Sequence, residues 1–111
     1  QLFIGIIGNL DAFDNSHDDS TSYGWTNSSS SYHGGTHRTG DSDWKGFNQG
    51  ECFCFHLKSN KLTTFHVRKN KKFAIDVATT VGAYYIHFNM LCINSTLTLK
   101  PLDEEERARF L

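Results

Sequence analysis

The chain has 111 residues, 38% of them hydrophobic and 14% aromatic, with one proline, three cysteines and six histidines. That length and apolar fraction suit one domain around a single core, and they exclude a multidomain enzyme and a disordered tail. A formal net charge of −1 argues against a partner held by bulk charge, so neither nucleic acid nor a membrane surface is expected. The longest apolar stretches, such as residues 2–7 and 84–86, fall far short of the roughly 20 residues that span a bilayer. The chain starts at Gln1 with no basic segment ahead of an apolar one, which reads as part of something longer rather than as a visible signal peptide.

In chain order, residues 2–8 (LFIGIIG) read as a short buried strand. Residues 1–50 carry a net charge of −4 and residues 51–111 a net charge of +3. From 15 to 42 there is no Ala, Val, Ile, Leu or Met, and Tyr23, Trp25 and Tyr32 are the large apolar groups, so long polar loops with short strands between them are expected. Residues 51–57 (ECFCFHL) alternate, with Phe53, Phe55 and Leu57 on one face and Cys52, Cys54 and His56 on the other, and end in the turn Lys58-Ser59-Asn60. Residues 61–67 form the hairpin partner. After a second polar turn at 68–71, residues 72–77 place Phe73, Ile75 and Val77 opposite Ala74 and Asp76, which completes an antiparallel meander. Residues 84–91 and 96–102 read as two further strands joined by Cys92, Ile93, Asn94 and Ser95, with Pro101 setting the end of the last strand at a sheet edge or exit. Asp103 followed by Glu106 has the spacing of a capping box, and the acidic turn before Arg107 and Arg109 suits a helical tail of one or two turns. The expected fold is all-β, with at least six strands, no helix of two turns between 51 and 102, and Phe53, Phe55, Phe73, Ile75, Ile86 and Phe88 in the core.

The residues that could carry chemistry do not assemble into a site by spacing. His33 and His37 are placed like zinc ligands, yet no Cys-x-x-Cys accompanies them and Cys52 and Cys54 sit one residue apart on a strand, so no metal and no other cofactor is expected. An odd number of cysteines without a secreted-framework spacing reads as reduced, partly buried thiols of an intracellular, cytoplasmic protein. A nucleophilic set can be drawn from Cys92, His87 and Asp76, but no sharp nucleophile turn is present and no enzyme is expected. Asp11, Asp14, Asp18 and Asp19 lack calcium-loop spacing and read as a solvated loop. Six basic residues within 58–72 divide between the two ends of one hairpin, which suits a solvated edge that resists strand aggregation better than a nucleic-acid platform. The triplets Asn27-Ser28-Ser29 and Asn94-Ser95-Thr96 match the glycosylation sequon and are read as incidental in a Ser-rich chain.

The succession IGIIG (4–8), an acidic loop, SYGW (22–25), YHGG (32–35), WKGFNQGECFCFHL (44–57), YYIHFNML (84–91) and TLTLKPL (96–102) resembles the SPRY domain. Gly50-Glu51 stands where the family has Gly-Asp, and Lys69-Asn70-Lys71 stands where it has Asn-Gly, so the second hairpin turn lacks the glycine that takes a positive φ without strain. The family's strands before IGI are not in this chain. The resemblance implies an antiparallel sandwich of SPRY (concanavalin-like) type over residues 1–102, N-terminally incomplete, followed by a tail over 103–111. It also implies a non-catalytic interaction module that recognises a partner peptide or protein surface through loops at one end, with ubiquitin-ligase substrate recognition among the roles of the family. By likeness to the SPRY-domain SOCS-box members, the binding residues are Tyr32 and the segment Cys92, Ile93, Asn94 and Ser95. Read by themselves, these residues also allow Tyr32 to cover the sheet and Asn94 and Ser95 to form a plain turn, while Tyr23 and Trp25 suit the core. Two other functions stay open: a lectin-like sandwich that uses Trp25 and Tyr32 against a sugar, and a structural domain within a larger assembly.

Overall fold

Local chemistry sets the strand positions. β1 (Leu2–Ile7) is an uncharged run rich in isoleucine, β2 (Tyr23–Thr26) contains the Tyr-Gly-Trp of SYGW, and the Ser- and Thr-rich β3 (Ser30–His33) and β4 (Thr36–Thr39) follow. With β8 (Tyr85–Met90) they form one antiparallel sheet in the order β4-β3-β2-β1-β8. The meander of β5 (Phe53–Lys58), β6 (Lys61–His66) and β7 (Lys71–Asp76) forms the second, three-stranded antiparallel sheet. These elements come from a computed structural model that describes residues 2–12, 15–39, 43–78, 81–90 and 98–110. No helix among the described residues is long and apolar enough to cross a membrane.

The two meander turns use asparagine where glycine is absent. Ser59 and Asn60 both adopt positive φ, 53° and 62°, which is the two-residue turn whose twist matches the flanking strands. At the second turn Asn70 takes the left-handed conformation at φ 53°, so Lys71 is free to start β7. Asparagine therefore supplies what the missing glycine would have supplied.

The two sheets pack face to face. Ile6, Tyr23 and Trp25 from the first sheet meet Leu62, Phe73 and Ile75 from the second, with Val77 and Trp44 completing the cluster. Trp44 belongs to the connection before β5; it is 2% exposed, donates its indole N–H to the Thr26 carbonyl at 2.9 Å and meets Phe73 edge-on at 5.0 Å. Phe73 and Ile75 are buried as expected, while Phe53 and Phe55 are partly buried against this cluster.

Three sequence expectations are revised. Cys54, on the face opposite Phe53 and Phe55 and expected to be a partly buried thiol, is buried with Phe65 and Phe110, because the C-terminal helix α1 (Glu104–Phe110) lies over the outer face of the second sheet. Both faces of β5 are therefore covered. Ile86 is 59% exposed and Phe88 is half-buried, because β8 is the margin of a five-stranded sheet and the opposing sheet has three strands. The strand expected at 96–102 is not formed over its described part: residues 98–102 join no ladder, Pro101 has no N–H to give one, and Leu102 instead packs beside Phe65 and Phe110.

The capping box forms as the sequence spacing predicts. The Asp103 carboxylate accepts from the Glu106 amide at 2.8 Å and the Glu106 carboxylate accepts from the Asp103 amide at 3.2 Å. The glycine of SYGW has a steric reason as well. A Cβ on Gly24 would lie 2.2 Å from the Ile4 carbonyl oxygen and 2.7 Å from the Phe3 ring, so its absence lets that ring lie across the sheet.

Candidate functional site

The unequal widths of the sheets leave a cleft. β7 is the margin of the narrower sheet, and the inner face of β3 and β4 projects past it, enclosing about 560 Å³. Ser31, His33 and Arg38 line one wall and Lys71, Lys72 and Ala74 the other, with Trp25, Phe73 and Ile75 on the apolar side and Asp43 at the mouth. The Lys71–Asp43 pair at 3.9 Å is solvent-exposed, so it ties the mouth weakly. Ladder phase decides which backbone groups of β7 face the opening. Val77 donates to the Asn60 carbonyl at 2.8 Å, which turns the peptide groups of Phe73 and Ile75 toward β6 and those of Lys72, Ala74 and Asp76 outward.

A second cluster occupies the opposite, outer face of the five-stranded sheet. The Tyr32 ring is 6% exposed and meets Phe3 edge-on at 5.9 Å, His17 at 4.7 Å and His37 at 5.1 Å. His17 arrives on a single 3₁₀ turn, Ser16–Asp18, whose Ser16 hydroxyl is 2.7 Å from His87 Nε2. Burial, and then the neighbouring His17, hold the His87 imidazolium below its ordinary pKa. On the same connection the Thr21 hydroxyl and amide, with Asn9, donate to Asp19 and hold its carboxyl below the ordinary carboxylate value. Gly35, at φ +81°, closes the β3–β4 turn against this connection. A Cβ there would fall 2.3 Å from the Asp18 carbonyl oxygen.

A buried acid–imidazole pair lies at the end of the core. His66 is fully buried and its Nε2 contacts a Glu51 carboxylate oxygen; the other oxygen accepts from the Asn48 amide at 3.1 Å. The Lys69 amide donates to Nδ1 at 3.4 Å, which leaves the proton on Nε2 for the carboxylate. Burial pushes the Glu51 carboxyl up, but the Asn48 amide and His66 outweigh it and the group lies below its ordinary value. With Phe53 packed 4.6 Å from the imidazole, the pair is closed to solvent and pins the connection before β5 to β6. Sequence reasoning passed over it. The available signal was His66 on the same face as Leu62 and Thr64, since a histidine on a core face needs a partner, and no acid lies within residues 58–72.

The sequence-derived site residues are distributed as follows. Tyr32 is part of the outer-face cluster, and Cys92, Ile93, Asn94 and Ser95 lie outside the described residues. Tyr23 and Trp25 are core residues. His33 and His37 project from opposite faces, since Tyr32 pairs with His37 and His33 with Thr36, so the two cannot share a metal. His87 and Asp76 stand on the outer faces of different sheets and do not converge, and Cys92 lies outside the described residues. Compared with family models, curated proteins and solved structures, the chain matches none.

Proposed function

We propose that this chain is a non-catalytic protein-interaction module, resembling SPRY domains, that holds a partner peptide or protein surface at the rim of its sandwich. The supporting observation is the cleft, which has strand walls on both sides, an apolar base and the cations Arg38, Lys71 and Lys72 around its opening. Rigid walls with a few charged groups suit selection of a ligand. The lectin alternative gains nothing comparable, because Trp25 at 2% exposure and Tyr32 at 6% offer no ring face to a sugar. A cytoplasmic location, and the contacts expected from the SPRY resemblance at Tyr32, Cys92, Ile93, Asn94 and Ser95, belong to the same reading as proposals. Its test is a photo-crosslinking residue placed at Lys72 or at His37 in the full-length parent protein. Capture of one partner from either position, lost when that surface is altered by Arg38→Glu with Lys71→Glu or by Tyr32→Phe, is the expected result. Capture from neither position would overturn the proposal.

A further inference from the structure

We infer that the margin of β7 is a strand-addition site for an acidic, extended peptide, which would lie in the cleft as a fourth strand of the narrower sheet; this rests on the interaction-module reading. The backbone of Lys72, Ala74 and Asp76 points outward and makes no hydrogen bond to another described residue. An extended chain laid there gains main-chain hydrogen bonds regardless of its side chains, and the pockets it finds for alternate side chains then select among sequences. Such pockets exist on both faces of β7. Inside lies the 560 Å³ cleft, and outside lies a hollow of about 270 Å³ bounded by His56, Thr63, Ala74 and Phe110, with Lys72 bordering both. A strand with alternating residues can therefore fill one with every second side chain and the other with the rest.

Charge and sterics specify the occupant. Among the described residues, Lys71 and Lys72 stand along this margin with one carboxylate, Asp43, at the mouth, so side chains entering the cleft are favoured if acidic. A second copy of the chain offers a superficially good match, because antiparallel pairing of two β7 strands about Ala74 would set Lys72 against Asp76. The projecting β3–β4 wall works against it. Each copy carries that wall past its own β7, so the two walls meet before the two margins can, whereas a single strand slides beneath. An acidic peptide is the occupant that fits both the space and the charge.

The test uses the whole chain and a fluorescein-labelled synthetic peptide of about eight residues alternating glutamate and valine, with a lysine–valine peptide as control. Anisotropy should show binding of the acidic peptide only, weakened by added salt and by about tenfold or more in Lys71→Glu with Lys72→Glu. Amide exchange should show new protection at Lys72, Ala74 and Asp76 on binding. Ala74→Pro deletes an outward N–H without touching the β6 ladder, so it should abolish binding with the melting temperature maintained; a peptide N-methylated at alternate residues should fail in the same way with the protein unaltered. Binding that survives both, or protection that maps elsewhere, overturns the strand-addition site and leaves the interaction module standing if the crosslinking partner is still captured. Amides of Lys72, Ala74 and Asp76 already protected in the free protein, whether independent of concentration or rising with it, would mean that the margin is occupied by the chain itself or by a second copy, and would also overturn it. Loss of crosslinking at both surfaces together with loss of peptide binding would remove both readings.

Discussion

Trp44 sits in a connection belonging to neither sheet, yet its ring meets Trp25 at 5.7 Å, Phe53 at 5.8 Å and Phe73 at 5.0 Å. Truncating it leaves a cavity between the sheets and orphans the Thr26 carbonyl, so Trp44→Ala is expected to cost about 3–5 kcal/mol by urea denaturation. A cost near that of an exposed substitution would show that the connection contributes little to the core. Acid sensitivity has a defined sign at this scale as well. His87 is held below its ordinary pKa, so the unfolded chain takes up its proton first: the His87 contribution is complete above about pH 6.5, declines as pH falls through the folded value and is constant below it. The Glu51 carboxyl, also held low, contributes stability above its unfolded value of about 4.5 and loses it as pH drops through the folded value. Denaturation midpoints should thus begin to fall below about pH 6.5, with a shallower first decline in His87→Gln; an unchanged slope in that variant would assign the decline to other groups.

At the scale of elements, α1 connects the tail to the second sheet, and its capping box decides how firmly. Asp103→Ala removes one of the two reciprocal bonds and should cost about 0.5–2 kcal/mol of helix stability. Because Phe110 is the lid of the Cys54 cluster, thiol labelling of Cys54 should speed up in that variant while the exposed Cys52 reacts as before. Equal acceleration at both, or at neither, would separate the helix from the thiol. The burial of Cys54 also pushes its thiol above the ordinary pKa, consistent with slow reaction in the native state. The meander was legible because β5, β6 and β7 follow one another with turn residues between them, and the capping box because its two partners are three residues apart. The full burial of Cys54 was not legible because cysteine is small and apolar and fits either face, so period-two alternation in ECFCFHL could not distinguish a strand covered on one side from one covered on both. Ile86 was misplaced for a different reason: β8 alternates like a core strand, but whether another strand lies opposite depends on the width of the other sheet. Ile86→Lys is accordingly expected to change stability by no more than about 0.5 kcal/mol, and a loss of several times that would restore the isoleucine to the core. The cleft escaped sequence reasoning by the same logic, since its walls come from Arg38 on β4 and Lys71 on β7, residues 33 positions apart that the packing of the sheets brings together.

At the scale of the whole molecule, the mismatch of five strands against three among the described residues decides what is open and what is closed. It exposes Ile86 at one margin of the wider sheet and produces the cleft beside β7. The two sheets also differ in how they are connected. The narrower one pairs only sequence neighbours, while the wider one joins Leu2 to Met90 across nearly the full chain. Pulse-labelled amide exchange during refolding should therefore protect Leu62 and Thr64 on β6 before the β1 and β8 amides; simultaneous protection would indicate a single concerted event. The Leu2 to Met90 register has a consequence for synthesis on the ribosome. β1 emerges before both of its partners, gains β2 on one side early, and then waits for some sixty further residues before β8 can cover the other. Through that interval LFIGII, an uncharged run without proline, presents an open strand edge of the kind that associates between chains, so the vulnerable moment for this protein is its own translation, before the β1–β8 ladder closes.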